Sequence, residues 1–108
     1  MMNKILQEKC DSGTCPVKKT SEIVGQKWTT LIIRDLLAGA KSYSQIQKSL
    51  DGISPKVLTD RLRFLENKKI ISRKVFPTSP PTTEYTLTEL GKKMKNVILA
   101  MAKFGNEL

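Results

Sequence analysis

The sequence predicts a mainly helical domain with one small β-hairpin and extra helices at its ends. Three observations carry that expectation. A short helix and a tight turn lead into a capped basic helix; "IISRKVF" alternates with period two and is answered by "TEYTL" across a proline-rich break; and a long amphipathic stretch closes the chain.

Pro16 suits the first position of a helix running to about Val24, where Gly25 interrupts it. "KWTTLIIRDLLA", Lys27 to Ala38, is apolar on most sides, which marks a helix buried between other elements, and Gly39 ends it. In "KSYSQIQKSL", Tyr43 reads as a short extended residue and Ser44 as the N-cap of a brief helix to Leu50. "DGIS" is a turn, with Gly52 able to take positive φ. Ser54-Pro55 then gives an N-cap and a first-turn proline, and Leu58, Leu62 and Leu65 mark the buried face of the helix that follows. Lys56, Thr59, Asp60 and Arg63 cluster on the opposite face, with Arg61 on a flank. After the hairpin, Thr88 caps a last helix whose apolar stripe is Leu90, Met94, Val97, Ile98, Met101, Phe104 and Leu108.

At 108 residues the chain reads as one domain over residues 16–108, preceded by a flexible N-terminal arm, residues 1–15, that holds both cysteines. A net charge of +9 favours a polyanionic partner. A membrane surface is disfavoured, since there is no long apolar stretch and the basic residues do not gather on one amphipathic helix. Ile5 and Leu6 are the only apolar pair near the start, too little for a signal-peptide core, so a cytoplasmic protein with reduced thiols is expected. Histidine is absent, two cysteines make a poor zinc site, and no glycine-rich phosphate loop occurs. No enzyme, metal or cofactor is expected.

A short helix, a tight turn and a capped basic helix is the helix-turn-helix order, and a basic hairpin directly after it is what a wing would be. The expected fold is therefore a winged helix-turn-helix domain whose second helix enters the major groove of double-stranded DNA. Two other classes remain open: a non-specific nucleic-acid-binding or architectural protein, and a winged helix that docks on an acidic protein.

The chain also resembles the HxlR-type winged helix-turn-helix regulators. The similarity rests on "CPV" at Cys15, "GQKW" at Gly25, "IIRDLLAG" at Ile32, "YSQI" at Tyr43, "GISPKVLTDRLRFLE" at Gly52 and "EYTLTELG" at Glu84. Six pieces in order, at matching spacing, make it specific. Lys69 stands where the family tends to carry glycine, so either a left-handed lysine or a turn closed by Asn67 is expected.

The residues expected at DNA are Ser44, Gln45, Ser54, Lys56, Thr59, Arg61, Arg63 and Lys74. Thr59 and Arg63 would reach base edges, arginine's paired donors matching guanine, and Lys56 phosphate or guanine. The amides opening the preceding helix at Ser44 and Gln45 would hold a backbone phosphate. In the first strand Lys74 is favoured over Arg73, which an acidic side chain would hold. The terminal helices carry more apolar surface than a small monomer covers, which points to a homodimer through Val17, Met94, Val97, Ile98, Met101 and Phe104, and the resemblance implies dimerisation through terminal helices too. Such a dimer would read a pseudo-palindromic operator. Cys15 stands at a helix start with Lys18 and Lys19 one turn on, a setting that favours the thiolate. The resemblance implies a sensor of oxidants or electrophiles there. Cys10 has no match in the family but is a candidate resolving thiol, and an intersubunit disulfide is the other route.

Overall fold

The protein is described by a computed structural model over residues 15–108. Nine elements follow in order: α1 (Pro16–Val24), α2 (Lys27–Leu37), β1 (Lys41–Ser42), α3 (Tyr43–Ser49), α4 (Pro55–Asn67), β2 (Ile71–Phe76), β3 (Thr82–Leu87), α5 (Glu89–Lys92) and α6 (Lys95–Gly105). The N-terminal arm, apart from Cys15, lies outside the described residues.

The centre of the domain is α2. Its Ile32 and Ile33 are fully buried, and they meet Ile46 and Leu50 of α3, Leu58, Leu62 and Leu65 of α4, and Ile71, Tyr85 and Leu87 of the sheet. Polar groups fasten its start. Thr29 donates its hydroxyl to the carbonyls of Ile23 and Gln26, the latter at 2.9 Å, and Thr30 donates to Val24 at 3.2 Å. The last carbonyls of α1 have no partner within their own helix, and these two buried threonines satisfy them. The α1–α2 corner is locked by that exchange.

The sheet has three antiparallel strands in the order β1-β3-β2. The hairpin was expected; the third strand was not. Lys41 and Ser42 pair with Tyr85 and Glu84, where the sequence suggested only an extended Tyr43. Tyr43 instead opens α3, so its N-cap is Ser42 rather than Ser44. The Ser42 hydroxyl accepts from the Gln45 N–H at 3.2 Å, and Gln45 Oε1 accepts from the Ser42 N–H at 2.9 Å. That reciprocal pair is a capping box, and it satisfies two helix-terminal donors at once.

Between α4 and β2 the chain turns through Lys69, whose φ is +62°, while Asn67 stays in the helix. The lysine accepts a left-handed conformation that costs a residue with a Cβ about 1–2 kcal/mol. The turn is held from the end of the neighbouring strand: the Thr88 hydroxyl donates to the carbonyl of Lys69 at 2.6 Å, and the Thr88 N–H donates to that of Ile70 at 3.0 Å. Thr88 also caps α5 by accepting from the Gly91 N–H.

The closing helix is not continuous. At Lys93 and Met94 the backbone tightens to i→i+3 bonds, Lys93 N–H to Leu90 O and Met94 N–H to Gly91 O, before α6 resumes. Met94, expected on a dimer surface, packs into the chain's own core and is 8% exposed. Val97 and Ile98 also lean on that core, whereas residues 99–108 are all exposed.

Candidate nucleic-acid interface

Ser54 starts α4 as the sequence suggests: its hydroxyl accepts from the Val57 N–H at 3.1 Å, and Pro55 supplies the first helical position. With Leu58, Leu62 and Leu65 turned into the core, Lys56, Asp60, Arg63 and Asn67 stand exposed on the other side. Among the described residues none of these four makes a side-chain hydrogen bond or ion pair. They form an outward face with two cations and one acid, ready for an external partner.

Two residues expected at DNA, Arg61 on a flank and Thr59 on the outward face, are turned elsewhere. Arg61 is withdrawn: it lies about 140° around the helix from Lys56, beside the packed side, and its Nε is buried with no partner among the described residues. Thr59 is half-buried, its hydroxyl 3.4 Å from that of Tyr43, which also reaches the Pro55 carbonyl at 3.3 Å. Tyr43 is thus a packing residue that pins α3 to α4. Ser44 and Gln45 are exposed in the first turn of α3, but the Gln45 carboxamide oxygen is engaged at Ser42.

The hairpin β2–β3 stands beside this helix. Arg73 of β2 is opposite Tyr85 in the register, and its Nε lies 3.5 Å from Glu66 Oε2 of α4, so an acidic side chain does hold it. Burial raises the Tyr85 hydroxyl above its ordinary pKa, with the nearby Arg73 pulling the other way, so the phenol stays neutral. Arg63, Glu66, Arg73 and Tyr85 line a cleft between helix and hairpin. Lys74 faces out from the other side of β2, its ammonium 5.0 Å from the Phe76 ring. Residues 77–81, the hairpin tip, carry no charge; Thr78 there donates to the Pro80 carbonyl at 2.7 Å and meets Thr82 of β3 at 2.9 Å.

Cys15 immediately precedes α1, half-buried, in an extended conformation. It is disulfide-bonded, which corrects the expectation of a reduced thiol. That expectation followed from compartment, which governs whether bridges persist, and not from geometry. Cys10 lies outside the described residues. Val17, Met101 and Phe104 of the expected dimer surface are exposed, and no helix among the described residues is long and apolar enough to cross a membrane.

A capped short helix, a turn, an exposed basic helix and a hairpin beside it define a winged helix-turn-helix transcriptional regulator, a DNA-binding class. The chain belongs to the HxlR family: the model of the HxlR-like helix-turn-helix matches residues 23–108. An uncharacterized HTH-type transcriptional regulator of Synechocystis, sll1512, is 40% identical over 93 residues, 86% of this chain and 69% of that protein. A crystal structure from Porphyromonas gingivalis, described as a MarR-family regulator, superposes with a TM-score of 0.82 at 43% identity, covering 86% of this chain and 91% of that one. The oxidised form of the redox regulator HypR gives 0.81 at 32% identity, covering 87% and 97%.

Proposed function

We propose that the protein is a homodimeric, cytoplasmic, sequence-specific DNA-binding regulator, not an enzyme, that reads a pseudo-palindromic operator. The observation that carries this is the outward face of α4. Among the described residues Lys56 and Arg63 make no side-chain hydrogen bond or ion pair, on a helix whose start is capped and whose other side is the core. Arg63 suits guanine O6 and N7, while Lys56 and the wing's Lys74 suit phosphate. A coating protein or a protein-docking winged helix would share the charge but would not prefer one DNA sequence.

Arg63→Ala is expected to cost ~1–3 kcal/mol on the operator and to relax preference at one position per half-site. Lys74→Ala is expected to weaken all DNA sequences evenly and to flatten the salt dependence by about one phosphate contact. Genomic selection of bound fragments supplies the operator, and fluorescence anisotropy at physiological salt reads both variants. Unchanged operator affinity in Arg63→Ala sinks the assignment of α4, and equal affinity for random and selected DNA sinks sequence specificity.

The homodimer is supported by the last two turns of α6, where Met101 and Phe104 are exposed and every residue from 99 to 108 is open to solvent in the single chain. A short helix with an uncovered apolar stripe gains little stability alone in water, and a second copy is the natural cover.

A second reading adds a response to oxidants or electrophiles through Cys15, with Cys10 as a candidate second thiol. It is supported by the disulfide at Cys15 and by the similarity to HypR, itself a redox regulator. Reducing the Cys15 disulfide frees a thiol for oxidant or a quinone, and passage between the two states would change how α1 is held and with it the dimer. Once the protein has been reduced, mild oxidant is expected to lower operator affinity in the parent and not in Cys15→Ser. Equal binding by the oxidised and reduced parent, with the thiol state verified by mass, makes Cys15 a structural residue only.

A further inference from the structure

Where α2 ends, a cavity of about 530 Å³ opens between three parts of the fold. Leu36, Leu37 and Ala40 form one wall, Leu87 at the end of β3 forms another, and Lys92 and Lys95 of the two terminal helices stand at its edge. The volume is in the range of small-molecule sites, roughly 300–1,000 Å³.

The lining chemistry is lopsided. Leu36 and Leu87 are buried floor, and among the described residues no carboxylate lines the cavity. Of the two cations, Lys92 is paired with Glu89 at 3.2 Å, whereas Lys95 has no ion-pair or hydrogen-bond partner among the described residues. One uncompensated ammonium beside an apolar floor selects a ligand with both parts. An inorganic anion would leave the leucines wet, and a neutral apolar molecule would crowd the ammonium without pairing it.

The cavity is distinct from the stripe that the dimer reading uses. At about 100° per residue, Lys95 lies about 180° around α6 from Phe104 and about 120° from Met101, the exposed part of the stripe, and about 60° from Ile98, which leans on the core. A second copy seated on Met101 and Phe104 leaves the cavity open.

We propose that this cavity binds a small amphipathic organic acid, an aromatic or short aliphatic monocarboxylate, with its body on Leu36, Leu87 and Ala40 and its carboxylate on Lys95. Binding there does not depend on the DNA reading. Its consequence does: a ligand bridging β3 to the terminal helices would fix the angle between wing and dimer helix, and so the separation of two recognition helices.

The test is a ¹⁵N–¹H NMR titration of the full chain with benzoate and with octanoate, using benzamide and inorganic phosphate as controls. Saturable shifts are expected at Leu37, Ala40, Leu87 and Lys95 with at least one acid, at a Kd of ~1 mM or tighter. Benzamide and phosphate are expected to bind at least ~10-fold more weakly than the acid. Lys95→Gln is expected to lose the same factor at an unchanged unfolding midpoint, and Ala40→Phe to block the cavity. The proposal is overturned by no saturable shift from either acid at ~10 mM, well above that affinity. It is also overturned by benzamide or phosphate matching the acid, or by Lys95→Gln binding as the parent does.

Discussion

Replacing Phe104 with lysine is expected to leave the chain folded and to abolish tight operator binding. Phe104 is 66% exposed in the single chain, so its loss removes almost nothing from the core. In a dimer closed over the terminal helices, each lysine would bring an unpaired charge into an apolar contact, which is costly. Two half-sites then no longer bind as one unit. The expected loss is ~10²- to 10⁴-fold in operator affinity, the avidity that linkage supplies. Sedimentation should report a monomer, and circular dichroism an unaltered helix content. A variant that stays dimeric with full affinity excludes this surface as the interface. Met101→Glu should behave alike, whereas a charge at Met94 would act on the fold of the single chain, because that side chain is buried within it.

Gly91→Ala is expected to be the most damaging small substitution in the domain. An added Cβ would lie 2.0 Å from the Ile70 carbonyl oxygen and 3.1 Å from Leu87 Cδ2. The nearer atom is backbone, and it already accepts from the Thr88 N–H, so it has little room to retreat. Overpacking against such an atom is expected to cost ~2–4 kcal/mol. For a domain of this size that lowers the thermal midpoint by roughly 10–30 °C. Gly105→Ala is the control, since its Cβ would meet nothing within 4 Å. It is expected to hold or slightly raise stability, alanine being the better helix former. Equal midpoints for the two variants would show that α5 can slide away from Ile70.

Much of the domain was legible because its hydrophobic period changes where the structure changes. Leu58, Leu62 and Leu65 announce a one-sided helix, and the alternation from Ile71 to Phe76 announces a strand. What escaped was too short or too dependent on tertiary packing to leave a period. Strand β1 is two residues long and exists because β3 lies beside it. The cap at Ser42 did leave a signal, Ser-x-x-Gln from Ser42 to Gln45, but Ser44 drew attention from it. A stripe alone cannot say whose core it enters, which is why Met94 reads as interface and sits inside. At the candidate site, Lys56, Arg63 and Lys74 are exposed as their helical and strand positions suggested. Arg61 and Thr59 needed the neighbouring elements to be seen. Lys69 took the left-handed option because Thr88, nineteen residues on, holds the carbonyls around it.

The outward face of α4 has a bearing on how such a regulator diverges. Lys56, Asp60, Arg63 and Asn67 make no hydrogen bond or ion pair within the described residues, so the fold places no claim on their identity. On the proposed reading of α4, substitutions there would rewrite which sequence is recognised without passing through a destabilised ancestor. Thr59 is different, because its hydroxyl meets Tyr43 and a change there is felt at the joint between α3 and α4. Duplicated copies of this gene would therefore acquire new targets fastest at those four positions, and Thr59 would follow only with a matching change at Tyr43.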